Sequence, residues 1–327
     1  MPFLEVDAAP GKRVTARVKI GEFLDSSSVE LPVAVINGSK DGPTLYVQAG
    51  LHGDELTGIA ICRAFLRSLD PNAIRGRVVA VPVANVPAHL GRTRGFLHEE
   101  RWMVDVNRIF PGSTTGLLSE RIAAVLFNDF ILAADFSVDL HSALAGCNIA
   151  PFVYINPDDD ENGTLNAREK HGRAFGTTHL FYRARGAKLG TSDMARSISA
   201  QADLQGAAMI TAEMGESRRT SGHLVDFGVQ GLHNVLKSLS MEEGDLVSPP
   251  YQTRFQEIAV LHSSRGGGLT YEAELGDTVA AGQRIAFLEG MFGEIVEEFV
   301  APVSGFLLRK MLLGAVASGA EIAWIGH

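Results

Sequence analysis

The sequence predicts an α/β protein, a layered domain with a largely parallel or mixed sheet followed by a small all-β domain. Three observations lead there. Up to Ser248-Pro249-Pro250, apolar strand-like runs alternate with helical stretches, the pattern of an α/β layered domain. Beyond that point the helical periodicity is lost, and short runs are separated by Gly266-Gly267-Gly268, Gly276-Asp277, Ala281-Gly282, Ser304-Gly305 and Ser318-Gly319, which suits a β-rich module of about seventy residues. The length of 327 residues permits two domains at roughly 100–200 residues each.

Taken in order, residues 1–40 contain alternating segments such as Val14-Thr15-Ala16-Arg17-Val18-Lys19-Ile20 and end in the turn cluster Asn37 to Pro43, an antiparallel β start. Thr44 to Ala49 is a short apolar run, as in a buried strand, and stops at Gly50. From Glu55 to Leu69, Leu56, Ile59, Ala60, Ala64 and Leu66 fall on helical spacing, and Asp70-Pro71 closes the segment. Arg77 to Val83 reads as the next strand, Leu117 to Ala134 as the strongest helix, and Ser137 to Leu140 as a further strand. The domains expected are 1–250, with 1–40 its β-rich N-terminal part, and 251–327.

Composition excludes several classes of function. Hydrophobic residues make up 46% and charged residues 20%, ordinary for a folded soluble chain. The net charge of −9 argues against nucleic acid or an anionic membrane as partner, but leaves room for a local basic pocket. Cys62 and Cys147 form no disulfide framework, which suits a reducing compartment. Met1-Pro2-Phe3-Leu4-Glu5 shows no basic region followed by an apolar run, and Leu117–Leu140 is interrupted by charged residues. A cytoplasmic protein is the expectation, with homo-oligomerisation left open.

The chemistry concentrates after the first buried strand, in Gly50-Leu51-His52-Gly53-Asp54-Glu55. An imidazole and a carboxylate three residues apart at a strand's carboxyl end can aim at one point. Zinc accepts that pair but needs a third protein ligand. His141, directly after the strand Ser137 to Leu140, is the candidate, with Asp139 on the same strand face able to accept from a ring nitrogen. Alone, His-x-x-Glu occurs by chance in many proteins, so three further segments matter. Asp105-Val106-Asn107-Arg108-Ile109-Phe110-Pro111-Gly112 offers an amide and a guanidinium fork suited to a carboxylate. Glu213 lies in the otherwise apolar strand Ala207 to Ala212-Glu213, where desolvation tunes it as a general base. Arg92, Arg94 and Arg101 could each polarise a carbonyl oxygen, and spacing does not choose among them.

In order and approximate spacing, Gly50 to Glu55, Asn107-Arg108 with Phe110-Pro111-Gly112, Asp139-Leu140-His141 and Glu213 resemble the succinylglutamate desuccinylase/aspartoacylase family of zinc-dependent deacylases. The resemblance covers most of the chain. It implies a three-layer α/β/α zinc-carboxypeptidase-like domain with a mixed sheet and one zinc ion per chain, held by His52, Glu55 and His141. It further implies that Asn107 and Arg108 hold a substrate carboxylate and that Glu213 is the base that activates water. An arginine upstream of the Asn-Arg pair stabilises the oxyanion in this family, and Arg94 is preferred over Arg92 and Arg101. Separately, Glu289 to Ile295 and Ala301 to Gly305 look like a biotinyl/lipoyl-type barrel-sandwich domain. Phe292 stands where a carrier has its acceptor lysine, so a cleft-walling or oligomerising role is expected instead.

The activity implied is hydrolysis of the amide of a small N-acylated amino acid or related amine. A metallocarboxypeptidase acting on short peptides and a non-catalytic zinc-binding protein are the alternatives. N-acetyl-diaminobutyrate, N-acetylaspartate and N-succinylglutamate all remain open as substrates. Arg183, Arg185 and Lys188, in the polar stretch 158–205, are available for an anionic group, although a solvated loop is the plainer reading.

Overall fold

Two antiparallel strands, β1 (Lys12–Glu22) and β2 (Ser28–Asn37), open the chain. The computed structural model describes residues 6–96, 99, 104–156, 164–182 and 194–327, so Arg101, Arg183, Arg185 and Lys188 lie outside the described residues. The turn cluster after β2 does not close a hairpin. β3 (Lys40–Ala49) instead lies parallel to β4 (Arg75–Val81) on one side and to β5 (Phe136–His141) on the other, with β4 separating it from β2. Helix α1 (Leu56–Ser68) makes the crossover that this parallel β3–β4 pairing requires.

The short helix α2 (Val86–Gly91) follows β4. Where one helix was expected over 117–134, α3 (Leu118–Val125) passes into a π-helical turn at Leu126–Ile131. Leu126, Phe127, Phe130 and Ile131 of this turn all enter the core. Beyond β5 come β6 (Cys147–Ile155), α4 (Thr164–Phe175), β7 (His179–Tyr182), α5 (Ile198–Leu204), β8 (Met209–Glu216) and α6 (Gly222–Ser238). β8 is parallel to β5 and antiparallel to β6, so the sheet is mixed, as expected.

Strand alternation sorts the side chains into two layers. Leu45, Val47 and Ala49 of β3, Val138 and Leu140 of β5, and Ile210 and Ala212 of β8 pack with Ile61 and Phe65 of α1 and with Leu232 and Val235 of α6. Tyr46 of β3, Val79 and Val81 of β4 and Met209 of β8 face the other way, onto Ile122, Phe127, Phe130, Ile198 and Ala202. Fully burying a Leu, Ile, Val or Phe contributes about 1.5–3 kcal/mol before entropy is counted, and both faces of the central strands do so. That is why these strands read as continuous apolar runs. Polar side chains on β5 and β8 are therefore exceptions. Ser137, Asp139 and His141, like Thr211 and Glu213, sit on the face away from α1 and α6.

After Pro250 the chain is all strand: β9 (Thr253–Phe255), β10 (Ile258–His262), β11 (Gly267–Tyr271), β12 (Thr278–Val279), β13 (Arg284–Glu289), β14 (Ile295–Val300), β15 (Gly305–Met311), β16 (Ala315–Val316) and β17 (Glu321–Gly326). A separate sheet runs β14-β13-β11-β16, while β15, β17 and β10 extend the large sheet through β6. Arg309 pairs with Ile149 across that junction. Ile285, Leu288 and Phe299 of the small sheet pack on Leu307, Ile322 and Ile325 of the extension, so the module is a sandwich with one leaf continuous with the large sheet. Phe292 sits at the tip of the β13–β14 hairpin, 96% exposed.

Candidate metal centre and reaction cavity

Parallel β3 and β5 open at the same edge of the sheet, with Ala49 in register with Leu140. Gly50, at φ 64°, turns the chain out of β3 in the left-handed conformation that glycine tolerates. The turn carries His52 and Glu55 back over the edge, each 2% exposed. Helix α1 begins only at Leu56, with Glu55 as its N-cap. The His52–Glu55 spacing is therefore set by the strand-to-helix turn rather than by a helical turn.

Glu55 is the hub. His52 Nδ1 lies 2.7 Å from its Oε1, His141 Nδ1 lies 2.8 Å from its Oε2, and Ser142 N donates to Oε2 at 3.0 Å. Each histidine's other nitrogen meets a second carboxylate. His52 Nε2 is 3.2 Å from Asp105 Oδ1, and His141 Nε2 is 2.8 Å from Asp139 Oδ2. Asp139 in turn accepts from Gln48 Nε2 at 3.0 Å, and Gln48 accepts from Tyr46 OH at 2.9 Å. This relay forms because Tyr46, Gln48, Asp139 and His141 alternate onto one face of two adjacent strands.

The donor set suits zinc. Ligand atoms of His52, Glu55 and His141 all lie within 4.8 Å of one another, and all three side chains are buried. Two imidazole nitrogens and a carboxylate are donors zinc accepts while keeping an open position. With each Nε2 taken by a carboxylate, Nδ1 is the nitrogen turned to the centre.

Electrostatics follow the same geometry. Burial pushes the Glu55 carboxyl up, but His52 and His141 beside it outweigh that and hold it well below the usual range. Asp105 behaves likewise, with burial overcome by His52, Arg94 and Arg108. His141 is raised well above an ordinary histidine, because Asp139 and Glu55 outweigh its burial. Glu213 is different. Burial dominates and pushes it up to about 7, with Glu55 adding to the rise and His141 opposing it. Glu213 is in register with His141 on the neighbouring strand.

These groups line a cavity of about 350 Å³ that also takes in Arg94, Asn107, Arg108, Thr211, Ser199 and Tyr154. Arg94 donates from Nε to Asp105 Oδ2 at 3.0 Å and from Nη1 to Glu55 Oε1 at 3.3 Å. Arg92 lies elsewhere, exposed at the end of α2, its carbonyl accepting from Arg218 Nη2 at 3.2 Å. Ile198 N donates to Asn107 Oδ1 at 2.9 Å, and Arg108 Nη1 donates to the Asn107 carbonyl at 2.8 Å.

Sequence reasoning gave no role to Asp105, which the structure makes a second hub. Its Oδ1 also accepts from Asn107 N at 2.8 Å, capping the short turn Val106–Arg108. An aspartate two residues before Asn-Arg carries that capping signal. Arg309, Glu321 and Trp324 of the C-terminal module also line the cavity. No local motif marks them.

Comparisons with known proteins place the chain among relatives of one family. A family model described as succinylglutamate desuccinylase/aspartoacylase catalytic domain matches residues 41–239. The N-alpha-acetyl-L-2,4-diaminobutyric acid deacetylase of Halomonas elongata is 27% identical over 306 residues, 92% of this chain and 86% of its own length. Among solved structures, the product-bound ectoine utilization protein EutE (DoeB) of Ruegeria pomeroyi has a TM-score of 0.84 at 23% identity, covering 96% of this chain and 95% of its own. A succinylglutamate desuccinylase/aspartoacylase from Rhodobacter sphaeroides has the same TM-score and identity, with 98% and 97% covered.

Proposed function

The chain belongs to the succinylglutamate desuccinylase/aspartoacylase family, and on that premise we propose that it is a zinc-dependent hydrolase cleaving the amide bond of a small N-acyl amino acid. The observation that carries the reading is the convergence of His52, Glu55 and His141 in the cavity wall, with Glu213 buried on the adjacent strand. The deacetylase named for the Halomonas relative supports the reaction class.

His52, Glu55 and His141 hold the zinc ion, which when bound supplies Lewis acidity and lowers the pKa of water towards about 7. Glu213 takes the proton from the attacking water and later delivers it to the leaving amine. Its carboxyl, pushed up to about 7 by burial, is matched to proton transfer near neutral pH. Arg94, positioned by Asp105 and Glu55, stabilises the developing oxyanion, a type of contact worth about 3–4 kcal/mol. Asn107 and Arg108 orient the substrate through its carboxylate. Ile198 N fixes the Asn107 amide so that its nitrogen is the donating end. A cavity closed on one side by the C-terminal module supports a small substrate over a long peptide.

The test is Glu213→Gln in zinc-loaded protein, assayed on Nα-acetyl-2,4-diaminobutyrate, N-acetylaspartate and N-succinylglutamate. Zinc content should be retained while turnover falls about 10²- to 10⁴-fold. Full turnover in this variant refutes the base, and wild-type inertness towards every N-acyl amino acid refutes the activity.

A further inference from the structure

Arg309 lies in β15, three strands from His141: β5 neighbours β8, β8 neighbours β6, and β6 neighbours β15. At about 4.8 Å per strand, its backbone stands roughly 14 Å across the sheet from the metal centre. Its side chain is 2% exposed and lines the reaction cavity. The guanidinium is held rigidly, with its carbon 4.0 Å over the Trp324 ring and Nη2 donating to Glu321 Oε2. Trp324 Nε1 donates to the same oxygen at 3.2 Å, and His262 Nε2 lies 3.7 Å from the other.

Among the described residues, Nε and Nη1 of Arg309 have no hydrogen-bond partner. Buried donors without partners are rare and costly, and each one calls for an explanation. Here the donors belong to a side chain whose position is fixed on two sides and which borders a cavity. Both unpartnered atoms of this guanidinium are donors, so what this end of the cavity lacks is an oxygen acceptor for them.

We propose that Arg309, clamped by Glu321 and Trp324, is a specificity-determining residue that binds a second oxygen acceptor of the substrate, a carboxylate remote from the scissile amide. This rests on the amide-hydrolase reading for where the scissile bond lies. The remote carboxylate is in addition to the one assigned to Asn107 and Arg108. It reaches Arg309 either from the end of the acyl group or from the amino-acid side chain. The C-terminal module then contributes recognition as well as a wall.

Two matched pairs separate the sources. N-Succinyl-L-alanine against N-butyryl-L-alanine places the carboxylate on the acyl group, and N-acetyl-L-glutamate against N-acetyl-L-norvaline places it on the side chain. Wild-type protein should prefer the carboxylate in one pair by about 10- to 100-fold in kcat/KM, mainly through KM. In Arg309→Met that ratio should collapse towards one, with zinc content retained. Arg309→Lys, which keeps the charge beside Glu321, should restore part of it. An equal loss on both members of a pair means a structural role only and overturns the proposal, as does a wild type without preference in either pair.

A second readout needs no turnover. Trp102 is the other of the two tryptophans in the sequence, so in Trp102→Phe protein succinate should perturb the Trp324 fluorescence and butyrate should not, and adding Arg309→Met should abolish the response. That response in a protein inert to all N-acyl amino acids would retain the subsite while discarding the hydrolase reading. No response, or one that survives Arg309→Met, overturns the subsite.

Discussion

Oδ2 of Asp139 sits 2.8 Å from Nε2 of His141, two residues further along the same strand, and both side chains are buried. Asp139 thereby sets which nitrogen of His141 faces Glu55, and Gln48 and Tyr46 hold Asp139 in turn. Asp139→Asn should lower zinc affinity about 10- to 100-fold, the usual cost of losing a carboxylate behind a ligating histidine. Competition against a chromogenic chelator measures it. Unchanged affinity would show that the relay has no bearing on the metal.

Glu213 yields a pH prediction. In metal-free protein its carboxyl, raised to about 7 mainly by burial, should stay protonated through mildly acidic pH and ionise near neutrality. A cation held at His52, Glu55 and His141 favours the ionised form, so zinc should shift this titration to lower pH. Infrared difference spectra of wild type against Glu213→Gln, with and without zinc, follow the carboxyl band directly. A titration that zinc leaves unmoved would place Glu213 away from the metal.

Gly53 lies between His52 and Asp54, tightly against α2. A Cβ there would meet the Ala88 carbonyl carbon at 2.1 Å and His89 N at 2.2 Å, both backbone atoms. Gly53→Ala should therefore cost on the order of 3 kcal/mol and weaken zinc binding, since the displaced turn carries two of its ligands. Thermal unfolding should show a drop in Tm of several degrees. A Tm within a degree of wild type would mean that the turn adapts freely.

His171 should make stability fall in acid. Burial first, and Lys170 second, lower its pKa to about 4, below the ordinary value near 6.5. The unfolded chain therefore binds this proton more readily than the folded one. The stabilisation is complete above about pH 6.5, is lost as pH falls towards about 4, and amounts to about 3 kcal/mol. Urea unfolding across that range should show a steeper loss for wild type than for His171→Asn. Identical slopes would count against the buried neutral imidazole, which packs 4.8 Å from the Phe136 ring and 2.7 Å from Ser238 Oγ.

The elements legible in the sequence were those whose burial is a local pattern. β3, β5 and β8 bury continuous apolar runs, so Val47, Val138 and Ile210 are readable as core. In α1, by contrast, the buried apolar face is Ile59, Ile61, Cys62 and Phe65, and Leu56, Ala60, Ala64 and Leu66 of the expected face are only partly buried. His52, Glu55 and His141 were legible for the complementary reason, as polar residues interrupting such runs at strand ends. Asp105 was not, because its importance lies in contacts to His52 and Arg94, which are 53 and 11 residues away.

The sequence by itself determined the layered α/β class, the all-β character beyond Pro250 and a set of polar residues able to hold a metal ion. Those properties depend on side-chain chemistry and on spacings of two to four residues, the range over which a strand or a helical turn repeats. Only the tertiary structure set Arg94 against Asp105 and Glu55 and Arg92 outside the cavity, Arg101 lying outside the described residues. It also decided that β15 hydrogen-bonds to β6, bringing Arg309, Glu321 and Trp324 into the cavity with His52. Sheet pairing across more than 150 residues, from Ile149 to Arg309, is settled by the packing of whole layers, and no local pattern encodes it.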